Sequence, residues 1–190
     1  MDNNITKIKT HHMNTYGYTY NVLNHKKHKK ELLKIIANVP LKPLKEGNDN
    51  IAHTDWYLPK ETRREYFEYF FKNILADYAE EFCKILKVKK CTVRNYWFQQ
   101  YKKNNYHGWH VHDAHFSAIY YIEIPDKNMM TEFKDSVTGK IESINVKEGD
   151  IFTFPGHLRH RSKLFSSKKR KTVIVFNLTY SDDNGPQDVT

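Results

Sequence analysis

The pattern of apolar residues changes near residue 91, and this change constrains the fold more than any other feature of the sequence. Before it, the segment LPKETRREYFEYFFKNILADYAEEFCKILKV (58–88) carries aromatic and aliphatic residues at helical spacing. After it come short β-rich segments separated by turn-forming residues: CTVRNYWFQQY, FSAIYYIEI, KIESINVKEGD, IFTFP and KTVIVFNLTY. Helical sequence followed by a run of short strands predicts an α+β domain whose sheets form a sandwich or an open barrel.

The long helix is expected to span roughly residues 60–87, with Pro59 and Thr62 near its start. Its apolar stripe consists of Tyr66, Phe67, Phe70, Phe71, Ile74, Leu75, Tyr78, Phe82 and Ile85. A stripe of this width is typical of a helix that packs against the outside of a large sheet and leaves its charged face in water.

The residues before this helix give weaker signals. Residues 14–23 alternate well enough for an early strand. The segment KKHKKELLKIIANVP (26–40) predicts a short helix that ends before Pro40. Residues 41–56 are expected to form a loop. We therefore expect a single domain over 1–190, with a helical support region at about 24–88 and a β-rich core at about 91–181.

Composition narrows the location and the partners. The two cysteines are not in a C-x-x-C arrangement, which favours a reducing cytoplasm without a disulfide framework. No apolar run approaches the roughly 18 residues that cross a bilayer, and the N-terminus lacks the apolar core of a secretory signal. The net charge of +9 suits an acidic partner, but the basic residues are scattered and no nucleic-acid-binding motif accompanies them. A solvated basic surface is the favoured interpretation.

The segment HGWHVHDAHFSAIYYIEIP (107–125) carries the chemistry. His110 and His112 are two residues apart, so on a strand both imidazoles point to one face. An open metal site needs a further ligand from a distant segment, and EGDIFTFPGHLRH (148–160) offers His157 and His160. The alternative is a histidine-rich polar loop that binds nothing. His107 and His115 are expected to lie behind the ligands or in solvent.

The segments WHVHDAHFSAIYYI, EGDIFTFPGHLRHRS and KRKTVIVFN arrive in an order and spacing that resemble the 2-oxoglutarate- and Fe(II)-dependent oxygenase superfamily. The resemblance covers about residues 95–180 and is nearest to short oxygenases of phage and bacterial genomes. It implies a double-stranded β-helix (jelly-roll) core flanked by the N-terminal helices. It also implies a dioxygenase that hydroxylates or demethylates an unknown substrate, which could be a small molecule, a protein side chain or nucleic acid.

The same resemblance implies a set of site residues. Fe(II) would be held by His110, His112 and His160, and 2-oxoglutarate would be the co-substrate. A basic residue near the start of the following strand would pair with the far carboxylate of 2-oxoglutarate, which places Arg170 or Lys171 there. Arg170 is preferred, on the expectation that it shares an inward face with Thr172, Ile174 and Phe176. Further co-substrate contacts are expected from Tyr101, Tyr120 and Tyr121.

The sequence departs from the superfamily at the second ligand. The usual motif is H-x-D, whereas this chain has His112, followed by Asp113. His112 is assigned to the metal. The alternatives are a local bulge that swings Asp113 inward, or a motif that starts at His112 and leaves an open position, as in halogenating relatives.

Two other functions compete with the oxygenase. One is a cupin-like β-barrel that binds a metal ion without 2-oxoglutarate; it has no need for a basic residue after the distal histidine. The other is a non-enzymatic basic binding module, for example a virion-associated one, with an incidental histidine cluster.

Overall fold

The computed structural model describes residues 9–12, 16–40, 42–125 and 130–181. The helices are α1 (His25–Ile36), α2 (Glu65–Phe70) and α3 (Ala76–Leu86), and a π-helical turn (Phe71–Leu75) joins α2 to α3. The strands are β1 (Lys9–His12), β2 (Tyr16–Asn21), β3 (Lys42–Glu46), β4 (Asp49–Thr54), β5 (Lys90–Tyr101), β6 (Tyr106–His110), β7 (Phe116–Glu123), β8 (Thr131–Lys134), β9 (Ile141–Ser143), β10 (Asp150–Pro155), β11 (His160–Ser162) and β12 (Lys171–Ser181). None of the helices in these ranges is long and apolar enough to cross a bilayer.

The strands form one curled antiparallel sheet in the order β1-β2-β10-β7-β12-β5-β4-β6-β11-β8-β9, with β3 paired to β4. The long central strands β7, β12 and β5 make one wall, and the shorter strands β6, β11 and β8 make the opposite wall. Strand β4 connects the walls, because it pairs with β5 at one end and with β6 at the other. This is the jelly-roll, double-stranded β-helix architecture that the sequence resemblance implies.

Two separate apolar clusters lie on the two faces of the central wall. On the helix side, Ile174 and Phe176 of β12 pack with α2 and α3. On the inner side, Val173 and Val175 of the same strand pack inside the curled sheet. Most of β12 is therefore buried on both faces, as are most of β7 and the second half of β5. Burial on both faces explains why these strands read as nearly continuous apolar runs.

The long helix packs on the outside of this wall, as predicted, but two details differ. It begins at Glu65, because Pro59–Arg64 form turns, and Arg64 is in an extended conformation. Phe70 and Ile74 are buried, as expected, whereas Phe71 is 55% exposed, so the prediction for Phe71 is wrong. Phe71 opens the π-helical turn, whose extra residue shifts which side chains face the sheet.

The predicted loop at 41–56 is also wrong: most of it is the β3–β4 hairpin, whose Ile51 is fully buried in the inner cluster. The early strand is confirmed as β2, although residues 13–15 lie outside the described ranges. The sequence of residues 41–56 resembles a loop because NDN (48–50) and Gly47 are turn formers and the charged residues of β3 face solvent.

A buried carboxylate joins the helix to the central wall. Asp55 is fully buried; its Oδ2 accepts hydrogen bonds from Arg64 Nε at 2.7 Å and from the Tyr66 hydroxyl at 2.7 Å. Its Oδ1 accepts one from the backbone amide of Phe98 at 2.9 Å. Asp55 thus fixes the start of α2 against β5, the strand that carries Trp97 and Gln99 into the interior.

Candidate metal centre

Three histidines converge at one end of the curled sheet. His110 ends β6, His112 lies in the loop that follows, and His160 begins β11 directly opposite His110 in the strand register. One ring nitrogen from each lies within 4.8 Å of the others, and the Nε2 atoms of His112 and His160 are 3.2 Å apart. Two nitrogens bound at a right angle to one metal ion, each about 2.1 Å from it, would be about 3.0 Å apart. The spacing therefore suits a shared metal ion.

Backbone carbonyl groups orient two of the three rings. His110 Nδ1 lies 2.8 Å from the carbonyl oxygen of Gly108, and His160 Nδ1 lies 2.9 Å from that of Leu158. A carbonyl only accepts, so each Nδ1 carries the proton and donates it. In a neutral imidazole this leaves the Nε2 lone pair unprotonated and available to a metal ion.

His112 is held differently, by side chains. Its Nδ1 lies 3.2 Å from Nδ2 of Asn177 on β12, and the Ser117 hydroxyl donates to Asn177 Oδ1 at 2.5 Å. The Trp97 ring stacks on the imidazole with centroids 5.6 Å apart. Because β6 has ended before His112, these side chains rather than strand geometry aim the ring.

The loop that carries His112 is fastened to Gly156. The backbone amide of His112 donates to Gly156 O at 2.8 Å, and the amide of Gly156 donates to His115 O at 3.0 Å. A Cβ atom at position 156 would lie 2.2 Å from the carbonyl oxygen of Ala114. Only glycine allows this close approach of two backbone segments.

The histidines are uncharged near neutral pH. Burial lowers the pKa of His110, brings that of His112 to about 4 and pushes that of His160 well below its usual range. Neighbouring histidines add to the effect at His112 and His160, since no two of these rings are readily protonated together. Neutral imidazole is the form that binds metals, so the donor set fits a divalent ion.

The other candidate ligands lie elsewhere. Asp113 and His157 are exposed and line a second cavity, which His112 also lines, and they do not join the cluster. His107 lines the pocket beside the cluster; its ring stacks on that of His110 with centroids 3.8 Å apart. His115 accepts a hydrogen bond from the backbone of Tyr180 at 3.2 Å.

The expected inward face of β12 is corrected by the structure. Arg170 points away from the interior and forms an ion pair with Glu123, Nε to Oε2 at 2.8 Å. Lys171 is 2% exposed and lines the pocket next to the histidines, together with Val173 and Val175. The preference for Arg170 failed because both faces of β12 are buried, and apolar alternation does not distinguish the helix side from the interior.

Of the tyrosines expected near a co-substrate, two face the interior and one does not. Tyr101 lines the pocket, and Lys171 Nζ lies 5.2 Å from its ring centroid and 5.9 Å from that of Tyr121. Tyr120 lies on the helix side, where its ring stacks on Phe70 with centroids 5.5 Å apart, so its assignment to the pocket is wrong.

Sequence reasoning missed several polar residues of the pocket. Gln99, Thr131, Arg161 and Ser162 line it. A signal existed for Ser162, because it lies two residues after His160 on the same strand and so shares its face. No signal marked Thr131, which begins the short strand β8.

Comparisons with solved structures agree with this architecture. A 2OG-Fe(II) oxygenase family oxidoreductase from Burkholderia pseudomallei matches with a TM-score of 0.64 and 12% identity over 78% of this chain and 77% of its own. The viral collagen prolyl hydroxylase of Paramecium Bursaria Chlorella virus-1, in complex with 2-oxoglutarate, matches with a TM-score of 0.59 and 15% identity. The match covers 85% of this chain and 94% of the hydroxylase. HygX from Streptomyces hygroscopicus, with nickel and 2-oxoglutarate bound, matches with a TM-score of 0.59 and 10% identity. The match covers 86% of this chain and 82% of HygX.

No protein-family model matches the sequence, and no curated protein matches it significantly. The likeness therefore rests on structure. Membership of the short oxygenases of phage and bacterial genomes remains a prediction. The curled jelly-roll sheet and the outer helices agree with the fold of the superfamily that the sequence resembles. The chain has the fold of the 2-oxoglutarate- and Fe(II)-dependent oxygenases, with a histidine triad positioned to bind a metal ion.

Proposed function

We propose that the protein is a 2-oxoglutarate- and Fe(II)-dependent dioxygenase that hydroxylates a substrate. The observation that carries the proposal is the placement of three neutral histidines and a buried lysine around one pocket. With iron and 2-oxoglutarate bound, such a centre would use O2 to oxidise both 2-oxoglutarate, to succinate and CO2, and a substrate C–H bond, to an alcohol, with one oxygen atom of O2 going to each. The chain itself supplies ligands, charge and shelter from water.

His110, His112 and His160 would hold the ion through their Nε2 atoms. The backbone carbonyls at Nδ1 of His110 and His160 fix the directions of their Nε2 lone pairs, and Asn177 restricts rotation of the His112 ring. An octahedral ion held by three side chains keeps positions open for a chelating co-substrate and for O2.

Lys171 is the residue that we assign to the far carboxylate of 2-oxoglutarate. Its ammonium donates to Ser162 Oγ at 3.3 Å and lies within the wall formed by Tyr101 and Tyr121. An anion in such an enclosed place needs a cation and hydrogen-bond donors, because an unpaired buried charge is costly. The Ser162 hydroxyl, which accepts from Lys171, keeps its own proton for a further hydrogen bond, whereas the Tyr101 hydroxyl donates to Gln99 Oε1 at 2.7 Å.

The co-substrate pocket is narrow in this conformation. Its free volume is about 20 Å³, which is room for about one water molecule. Binding therefore requires wall side chains to move. Arg161 is suited to this, since its guanidinium lies 4.4 Å from the centroid of the Trp109 ring and its side chain stays partly exposed while it pairs with Glu132.

We assign the substrate to the second cavity, of about 380 Å³, which shares His112 with the co-substrate pocket. Its other lining residues include Arg94, Asp113, His115, His157 and Thr179. Arg94, Asp113 and His157 have no hydrogen-bond or ion-pair partner among the described residues, so their polar groups are available to a ligand. The lining combines a cation, an anion and imidazoles, which favours a polar substrate over an apolar one.

The competing cupin-like function uses the same histidines but has no role for Lys171. A buried lysine is unfavourable unless something repays its desolvation, and burial lowers its pKa to about 7. A dianionic co-substrate would offset the desolvation of Lys171, and the oxygenase is preferred for that reason. The non-enzymatic module has no role for the histidine triad or for Lys171.

An anaerobic titration tests the proposal. Fe(II) and then 2-oxoglutarate are added to the protein, and we expect a weak metal-to-ligand charge-transfer band in the green region that is absent from His110→Ala. Iron binding without the band would favour the cupin-like function. No iron binding would favour the non-enzymatic one, and succinate formation from 2-oxoglutarate under air completes the test.

A further inference from the structure

Two basic loops that are far apart in the sequence lie side by side in the fold. The first is residues 102–105, between β5 and β6, and the second is residues 163–170, between β11 and β12. The backbone amide of Asn104 donates to Phe165 O at 2.7 Å, and the amide of Phe165 donates to Asn105 O at 2.8 Å. We call the surface that these two loops form the basic surface.

The basic surface carries an excess of positive charge. The two loops contain six basic residues and no acidic one: Lys102, Lys103, Lys163, Lys168, Lys169 and Arg170. Lys163 pairs with Glu132 at 3.2 Å, and Arg170 pairs with Glu123 at 2.8 Å. The other four lysines are exposed, and none forms an ion pair with a residue in the described ranges. The neighbouring β3–β4 hairpin carries two lysines and two carboxylates, so the excess comes from the loops.

The charges of the two loops act on the same region. Strands β5 and β12 meet the loops at one pair of residues, Tyr101 opposite Lys171. Lys102 and Arg170 are the next residues beyond that pair. Lys102 Nζ lies 3.5 Å from Nε2 of His53. Burial lowers the pKa of His53, and the charges of Lys102 and Arg170 lower it further. The fold thus concentrates basic residues that are scattered along the sequence.

The side chains between the lysines indicate the kind of partner. Asn104 and Ser166 are exposed, and Leu164 is the only large apolar side chain of the two loops that faces solvent. Interfaces between proteins centre on aromatic residues and arginine and are depleted in lysine. Contacts to nucleic-acid phosphates come from lysine, serine, asparagine and backbone N–H groups. The composition of the basic surface therefore favours phosphates over an acidic protein.

We propose that the basic surface binds the phosphate backbone of duplex nucleic acid without reading its sequence. Proteins that bind single strands stack the bases on aromatic side chains, and the basic surface exposes none, because Phe165 is buried. A duplex also has the higher density of phosphate charge. The proposal uses neither the histidine triad nor Lys171, so it goes beyond the proposed function and does not depend on it.

Fluorescence anisotropy of a short labelled DNA duplex measures binding to the full chain. In about 0.1 M salt we expect a dissociation constant of about 1–100 μM, as for other contacts that rest on charge alone. Four lysines that neutralise four phosphates should give a slope of about −3.6 when the logarithm of the association constant is plotted against that of the salt concentration. A duplex of unrelated sequence should bind equally well.

Two double variants test where the duplex binds. Lys168→Gln/Lys169→Gln removes two of the four charges and keeps polar side chains of similar size. We expect the slope to shrink by about 1.8 and the affinity in about 0.1 M salt to fall by about 10–100-fold. Lys26→Gln/Lys30→Gln is the matched control, because both lysines are exposed on α1 and the change in net charge is the same. The control should stay within about threefold of the unmodified protein.

Equal losses for the loop and helix variants would reduce the binding to an effect of net charge and overturn the proposal. Tighter binding to a single strand of equal length, to polyglutamate or to vesicles of anionic phospholipid would also overturn it. Co²⁺ titration checks that both variants fold, since none of the four lysines lines the pocket beside the triad. A chain that binds the duplex but not Co²⁺ would support the basic surface and reject the proposed function. Binding of Co²⁺ without binding of the duplex would do the reverse.

Discussion

The ammonium of Lys171 donates a hydrogen bond to the Ser162 hydroxyl at 3.3 Å, and this contact spans the interior from the central wall to the opposite one. Both residues line the pocket beside the histidine triad. The pair marks the end of the pocket where an anion would bind.

Replacing Lys171 should therefore weaken the binding of 2-oxoglutarate. We expect Lys171→Ala to cost about 2 kcal/mol in 2-oxoglutarate binding, roughly 30-fold, since a charge-assisted hydrogen bond is lost. Arg170→Ala is the neighbouring control and should be near neutral, because Arg170 faces Glu123 outside the pocket. Calorimetric titration of 2-oxoglutarate into Co²⁺-loaded protein measures both. The reverse ranking would return the role to Arg170.

The affinity for 2-oxoglutarate should depend on pH through Lys171, whose pKa burial lowers to about 7. Below pH 7 the ammonium is already charged; above it, binding must take up a proton, so affinity should fall by up to about tenfold per pH unit. Lys171→Arg should flatten this slope, because a guanidinium stays charged. A slope unchanged in the arginine variant would assign the pH dependence to another group.

The same pKa shift has a consequence for stability. Unfolded lysine keeps its proton up to about pH 10, so between about pH 7 and 10 the unfolded state binds more protons than the folded state. The contribution of Lys171 to the free energy of unfolding should therefore rise with pH over this range. Lys171→Met should lose that rise, which urea denaturation at several pH values would detect.

Gly156→Ala should displace the loop that carries His112. The added Cβ would lie 2.2 Å from Ala114 O, a backbone atom that moves only with its segment. We expect a loss of about 1–3 kcal/mol in stability and a marked loss of Co²⁺ affinity. Gly47→Asn is the control, because Gly47 has a φ of +53° and nothing within 4 Å, and asparagine tolerates that conformation. Metal affinity that survives Gly156→Ala would show that the loop does not aim His112.

Asp55→Ala should be strongly destabilising, by about 3–5 kcal/mol, because it leaves the Arg64 guanidinium buried without its carboxylate. The Arg64–Asp55 side chains are 7% and 0% exposed. Arg63→Ala removes the exposed Arg63–Glu68 pair and should leave the unfolding midpoint unchanged. Similar midpoints for the two variants would contradict the structural role given to Asp55.

What the sequence could reveal depended on the range of the interactions involved. The spacing of Phe70, Ile74, Tyr78 and Phe82 reflects helix geometry over a few residues, so the helix and its packing face were predictable. The distal histidine could be identified because His160 follows a strand and turn within one short segment. The π-helical turn left no such trace, and Phe71 was assigned to the wrong side.

The side of β12 that faces the site could not be predicted from the strand alone. Val173 and Ile174 are equally apolar, and only the placement of the helices decides which of them points inward. The Asp55–Arg64 pair was hidden for a related reason: charged residues in a turn are usually solvated, and the burial of this pair depends on how β5 packs.

Histidine at position 112 also alters the charge of the whole centre. Three uncharged imidazoles leave the double positive charge of a divalent ion undiminished, so the ion and dianionic 2-oxoglutarate together would be neutral, and the Lys171 ammonium would give the enclosed assembly a single positive charge. A carboxylate ligand at position 112 would cancel that charge. With histidine there, the centre keeps an excess positive charge that favours the binding of an anion. The acidic side chain nearest the triad in sequence, Asp113, instead lines the second cavity, where its charge attracts cations.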